Sequence, residues 1–328
     1  MKARVQIRGY AFVLLTGMVM LSMLIVSCSP GSSAPATEPP SNPPTEAPTE
    51  APVTEAPTEP AIQPPVSQRP LSGLDADPQR VEFQAEDGKN LVGYYYPSMY
   101  ANAPVIILMH WAGGDLTDWC EIAPWLQNRQ SDNPAKPERC ANATEEKKPT
   151  WLDPTWFPPM SPQISMAVFA FDFRGYGESE AGGGWSEYAK DARAAFETAA
   201  GLEGVDPTRM AAIGASIGAD GAANGCLLYN QSAGSGCLGA LSLSPGNYLD
   251  MPYAGVVTDL APNPVWCLAA EGDGESAPTC KGASGDQYRS QVYAGSAHGM
   301  MLITPDLDPQ PMLLIREFLI LLFGESMR

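Results

Sequence analysis

The stretch Met210-Ala211-Ala212-Ile213-Gly214-Ala215-Ser216-Ile217-Gly218 constrains this chain more than any other. A short apolar run leads into Gly-Ala-Ser-Ile-Gly, and the Ala/Gly-rich segment 219–228 follows. The pattern predicts a strand, a sharp turn and a helix, with Ser216 at the apex. A serine on so tight a turn sits in strained backbone, and its neighbours press against adjoining chain. Gly214 and Gly218 therefore stand where a Cβ does not fit. The turn lifts the Ser216 hydroxyl out of the sheet edge and aims the next backbone N–H, that of Ile217, at the same point.

The rest of the chain frames that turn. Residues 80–84 and 90–96 alternate around Glu86-Asp87-Gly88-Lys89, which predicts a β-hairpin. Residues 104–109 and 166–171 are apolar runs, the mark of strands buried on both faces. Further strands are expected at 238–243, 265–270 and 288–293, and helices at 115–127, 185–200 and 311–323. Asp206-Pro207-Thr208-Arg209 reads as a turn before the strand that carries Ser216. Strands alternating with helices mean an α/β fold with a mostly parallel sheet and crossovers. Residues 129–165 show no period and are rich in Pro, Trp and charge. This insertion reads as a lid or substrate-binding element, or else as a plain surface excursion.

A serine hydroxyl is a poor nucleophile at neutral pH. It needs a base within hydrogen-bond reach, and the base needs an orienting carboxylate. Histidine suits the role because its ordinary pKa is about 6.5, and this chain has only 2. His110 ends an apolar strand at the turn His110-Trp111-Ala112-Gly113-Gly114, too close to that turn to be the obvious base. His298 follows the last strand within Ala294-Gly295-Ser296-Ala297-His298-Gly299, where small neighbours let a ring swing over an open site. Three carboxylates compete to orient it. Asp273 follows the 265–270 strand by a Glu-Gly step, Glu271 stands at that strand's end, and Asp250 follows the preceding strand. The offset favours Asp273; the bland alternative for each is a solvated loop acid. An oxyanion needs two N–H donors. Ile217 supplies one, and the His110–Gly114 turn the other, from Ala112 or alternatively Trp111.

Taken in order, these motifs resemble the α/β-hydrolase family over about residues 80–324. They are most similar to its dienelactone-hydrolase-like and serine-aminopeptidase-like esterases. The His110 turn looks like that family's oxyanion turn. Asp172-Phe173-Arg174-Gly175-Tyr176-Gly177-Glu178-Ser179 looks like its Asp-x-Arg-Gly-x-Gly-x-Ser stretch, which there shapes a loop rather than doing chemistry. The resemblance implies the α/β-hydrolase fold, with helices on both faces of the sheet. It implies an ester-cleaving serine hydrolase acting on a small acyl substrate through an acyl-enzyme on Ser216, with Asp273 and His298 and no cofactor. Two departures stand out: Trp111 replaces the family's usual glycine, and 129–165 has no clear counterpart. A serine peptidase or lipase on the same three side chains is the alternative. No acidic anchor for a substrate amine is visible, and Glu145, Glu146, Lys147 and Lys148 make a poor apolar lid. A non-catalytic surface binding protein on such a scaffold should have lost one of these residues.

The remaining features concern where the chain works. A net charge of −18 and a pI near 4.4 argue against nucleic acid, which needs a basic patch. Lys2, Arg4 and Arg8 precede an apolar run over 10–26, closed by Ile25-Val26-Ser27-Cys28. This resembles a bacterial lipoprotein signal, cleaved before a cysteine that is then lipidated. The alternative is an uncleaved transmembrane anchor, for which about 17 apolar residues are few. Residues 1–28 are thus expected to be a signal ending at lipidated Cys28, and 29–76 a tether built on Thr-Glu-Ala-Pro repeats. Residues 77–328 are expected to be the folded domain, a monomer on the extracytoplasmic side of the cell envelope. Without Cys28, six of the 7 cysteines remain, an even number that favours disulfides in an exported chain. Local pairs are expected: Cys120–Cys140, Cys226–Cys237 and Cys267–Cys280. No CxxC suggests zinc, Asp273-Gly274-Glu275 lacks a calcium loop's spacing, and no metal is expected.

Overall fold

Ala103–Met109 (β3) reads Ala-Pro-Val-Ile-Ile-Leu-Met, and all seven residues are buried. A period of two sends Val105, Ile107 and Met109 to one face of the strand and Ile106 and Leu108 to the other. Both faces then need a cover. The computed structural model, which describes residues 69–130, 136–142 and 148–324, shows both covers. Val105, Ile107 and Met109 pack in one core with residues of Tyr188–Ala200 (α2), Ile217–Ala233 (α3), Tyr253–Leu260 (α4) and Ser276–Gly282 (α5). Ile106 and Leu108 pack in a second core with Ile122–Gln127 (α1) and Pro311–Phe323 (α6). Truncating Ile106 or Ile107 to alanine costs about 2–5 kcal/mol at such positions.

The other strands are Gln79–Gln84 (β1), Asn90–Tyr96 (β2), Ala167–Asp172 (β4), Val205–Ala215 (β5), Cys237–Leu243 (β6), Val265–Ala270 (β7) and Tyr288–Tyr293 (β8). They form one 8-stranded sheet in the order β1-β2-β4-β3-β5-β6-β7-β8. β1 and β2 run antiparallel to their neighbours, and every other pairing is parallel. The register aligns Met109 with Gly214, Ala215 with Leu243 and Ala270 with Tyr293. The loops that leave these parallel strands therefore open on a single sheet edge, the usual place for a ligand in an open α/β sheet.

Two local expectations need correction. Residues 115–127 are not one helix: a 3-10 turn, Leu116–Trp119, is followed by the separate α1. Pro124 is the reason, since it lacks an N–H and its ring conflicts with the carbonyl of residue 120 in a continuous helix. Residues 206–209 fall inside β5, but the pairing jumps from Ala103–Val205 to Val105–Met210. The expected turn thus survives as a bulge, with Thr208 N–H on the Asp206 carboxylate. α4 and α5 had no counterpart in the sequence reading.

The chain joins this domain earlier than Asp77. Ser72 N–H donates to Met99 C=O, Ala101 N–H donates to Pro70 C=O, and Arg129 reaches the carbonyls of Leu74 and Asp75. The expected signal, Cys28 and the expected tether as far as residue 68 lie outside the described residues. Three disulfides join Cys120 to Cys140, Cys226 to Cys237 and Cys267 to Cys280, the local pairs expected. The described parts of the insertion are 3-10 turns at Glu138–Asn142, Thr150–Leu152 and Pro154–Trp156. They are fastened to the domain: Trp125 Nε1 donates to Pro158 C=O, Thr150 Oγ1 to Ile303 C=O and Arg316 to Pro159 C=O.

Candidate active site

Ser216 joins β5 to α3 with φ 53° and ψ −117°, a conformation that strains a residue with a side chain. Close packing holds it there. A Cβ on Gly214 would overlap the Gly218 carbonyl, and one on Gly218 would overlap the Met109 carbonyl. Only glycine lets α3 start this close to the ends of β5 and β3. Ser216 N–H donates to Leu243 C=O, which ties the turn to β6 as well.

Asp273 follows β7 and His298 follows β8. Two bonds continue the β7–β8 ladder past the strands, Glu271 N–H to Tyr293 C=O and Gly272 N–H to Gly295 C=O. They bring the two loops side by side. His298 Nδ1 lies 2.9 Å from each Asp273 carboxylate oxygen, and His298 Nε2 lies 2.8 Å from Ser216 Oγ. The ionised carboxylate only accepts, so Nδ1 carries the proton, and Nε2 is left free to accept from the serine hydroxyl. Asp273 is buried, whereas Glu271 and Asp250 are exposed. Of the three acids considered, only Asp273 reaches the histidine. Ser244, at the end of β6, steadies the histidine loop by accepting the Gly299 N–H at 3.0 Å.

His110 is fully buried, and burial lowers its pKa. Its Nδ1–H donates to Trp111 C=O, and its Nε2 accepts the Phe173 N–H. It is a neutral ring that fixes the turn after β3. In a trans peptide the N–H points opposite to the preceding C=O, so Ala112 N–H points away from His110. Ile217 is the first residue of α3, where a helix leaves an N–H without an intrahelical partner.

The Asp172–Ser179 stretch holds its own loop. Asp172 is buried and accepts from Leu116 N–H, Arg139 and Glu178 N–H, while Ser179 Oγ donates to Asp172 C=O. Arg174 pairs with Asp191 and Asp87.

Three residues near the site escaped the sequence reading. Asp118 accepts two indole N–H groups, from Trp111 at 2.8 Å and from Trp151 of the insertion at 3.0 Å. Asp220, one turn after Ser216, accepts the N–H groups of Gly246 and Tyr248, and burial pushes its carboxyl up to about 6. Its signal was visible, a lone charge in the first turn of an otherwise Ala/Gly-rich helix. Tyr248 places its ring 6.3 Å from that of His298; nothing local distinguishes it. Among the described residues, no group of three His, Cys, Asp or Glu side chains is placed to hold a metal ion.

No family model matches the chain. Over 140 residues, 42% of its length, it is 26% identical to uncharacterized proteins from two strains of Mycobacterium tuberculosis. The match spans 37% of the length of those relatives. An α/β hydrolase from Penicillium sp. sh18 superposes with a TM-score of 0.51 at 13% identity, covering 75% of this chain and 98% of that one. The chain has the α/β-hydrolase fold. An esterase of Pyrococcus furiosus gives a TM-score of 0.48 at 16% identity, covering 81% of this chain and 99% of that one. In α/β-hydrolase terms, Ser216 occupies the strand-to-helix elbow, and Asp273 and His298 follow in the chain order usual for that fold.

Proposed function

We propose that this protein is a serine hydrolase that cleaves a carboxylic ester through an acyl-enzyme on Ser216. One observation carries the reading: the unbroken hydrogen-bonded line from Asp273 through His298 to Ser216 Oγ. In the first half-reaction Oγ attacks the acyl carbon and its proton passes to His298 Nε2. The carbonyl π electrons move onto oxygen, where Ile217 N–H and Ala112 N–H receive the charge, with Trp111 N–H as the alternative to the latter. As the C–O bond to the alcohol breaks, His298 gives its proton to the leaving oxygen. Water then repeats the sequence on the acyl-enzyme and releases the acid. Asp273 holds the imidazole in the working tautomer and balances its charge when it is protonated.

The His110–Gly114 turn and the Asp172–Ser179 loop support a place near the dienelactone-hydrolase-like esterases. The protein is further proposed to act as a lipoprotein, held by Cys28 at the membrane and facing the extracytoplasmic side. Its charged n-region, apolar run and Ser27-Cys28 junction support this.

Fluorophosphonate labelling and hydrolysis of short acyl esters test the hydrolase reading. The wild type is expected to label and turn over, and Ser216→Ala to lose the label and a factor on the order of 10⁴ or more in kcat. A folded wild type that neither labels nor hydrolyses overturns it. For the anchor, metabolic incorporation of labelled fatty acid should disappear in Cys28→Ser.

A further inference from the structure

We propose that the site selects esters whose acyl group carries an uncharged aromatic ring. This rests on the hydrolase reading above and deepens it. The argument begins with strand order. β5, which carries Ser216, lies between β3 and β6. The turn after β3 contributes Trp111 and the loop after β6 contributes Tyr248. Their rings lie 6.4 and 6.3 Å from that of His298. An aromatic side chain thus stands on each flank of the strand that bears the nucleophile.

Each ring has a second aromatic behind it. Trp151 meets Trp111 edge-to-face at 6.0 Å, and Trp185 meets Tyr248 edge-to-face at 5.9 Å. Both walls are also pinned by polar bonds. Asp118 takes the indole N–H groups of Trp111 and Trp151, and Asp220 takes the Tyr248 backbone N–H. Trp185 is 48% exposed, so a large apolar ring is offered to solvent at the rim. A stiff site with aromatic sides favours a flat, rigid ring over a chain that must freeze several rotors. Edge-to-face contact adds a gain beyond area, about two- to tenfold in affinity per ring pair.

Charge argues for an uncharged acyl group. Arg139 of the insertion is paired with Asp115 and Asp172, and Arg174 of the loop after β4 with Asp87 and Asp191. Glu271 and Glu275, two residues before and after Asp273, are exposed. Both arginines are already paired, so neither is free to take an anionic acyl group.

The test compares 4-nitrophenyl 3-phenylpropanoate with 4-nitrophenyl 3-cyclohexylpropanoate on the purified protein. Leaving group, chain length and ring position are the same; only the π system differs. Wild type is expected to favour the phenyl ester about tenfold in kcat/KM. The ratio should fall towards one in Tyr248→Leu and in Trp185→Leu, the latter a change on a half-exposed side chain with little risk to folding. A wild-type ratio at or below one overturns the proposal while the hydrolase reading stands. A high ratio that neither variant lowers overturns its assignment to these rings. Failure to hydrolyse either ester, or 4-nitrophenyl acetate, overturns the hydrolase reading itself.

Discussion

His298 Nδ1 stands 2.9 Å from both carboxylate oxygens of Asp273. The two residues are 25 apart in sequence and sit on loops that follow adjacent strands. The bonds Glu271–Tyr293 and Gly272–Gly295 carry the parallel ladder into these loops. Backbone pairing therefore sets this side-chain distance, and the orienting acid should be hard to replace.

Asp273→Asn tests that. The amide offers an N–H₂ in place of one carboxylate oxygen and favours the imidazole tautomer with its proton on Nε2, facing the serine. The expected loss in kcat is on the order of 10⁴. Glu271→Gln, at an exposed position two residues away, should stay within about threefold of wild type. Steady-state hydrolysis of one ester by both variants checks the pair, and equal losses would return Glu271 to contention.

Glycine requirements should differ sharply between positions. In Gly218→Ala the new methyl meets the carbonyl oxygens of Met109 and His110, and backbone cannot yield as a side-chain tip does. A loss of about 3 kcal/mol or more is expected. Gly255 lies within α4 with nothing near its position, so Gly255→Ala should stabilise by about 0.5–1 kcal/mol. Urea unfolding of both variants measures the contrast.

Asp118→Asn should loosen one wall of the site. An indole N–H only donates, and so does the amide N–H₂ that replaces one oxygen, so one of the two tryptophan bonds must be lost. A stability loss of about 1–3 kcal/mol is expected, with a change in tryptophan emission. For an ester with a bulky acyl group, KM should rise more than kcat falls. Unchanged emission together with unchanged KM would count against the bridge.

Asp220 gives the stability a particular pH dependence. Its folded pKa, about 6, lies above the ordinary 3.8, with burial as the largest cause. Between these values the native state holds a proton that the unfolded chain has released. Stability from this group therefore falls as pH rises from about 4 to 6, by roughly 3 kcal/mol in all. Asp220→Asn keeps an oxygen for Gly246 and Tyr248 without the charge. Relative to wild type it should gain by about that amount between pH 4 and pH 7.5. Denaturant melts of both proteins at the two pH values give the difference, and a pH-independent gap would contradict it.

How much of this was legible beforehand depends on whether the cause was local. Gly214, Ser216 and Gly218 announce the elbow because the turn needs them at alternate positions of one five-residue run. Asp273 and His298 could be found because each follows a recognisable apolar strand and histidine is scarce. The single helix expected over 115–127 misjudged Pro124, whose conflict with residue 120 outweighs the apolar spacing. Tyr248 and the Asp118 bridge were out of reach for another reason. Their roles come from partners 7 to 50 residues away, through strand order and a loop path with no period of its own. Asp220 lay between: its place was conspicuous, but its partners Gly246 and Tyr248 lie beyond the next strand.

The bridge from Cys120 to Cys140 has a consequence of its own. It closes a loop just after Asp118 and secures the start of the segment that later delivers Trp151 to its place opposite Trp111. Cys267–Cys280 does the same for the centre itself, since it closes the loop that carries Asp273. Made under reducing conditions, the chain lacks a covalent stay both at one side of its mouth and around Asp273. What it accepts and how it cuts would then both depend on the oxidising power of the compartment in which it matured.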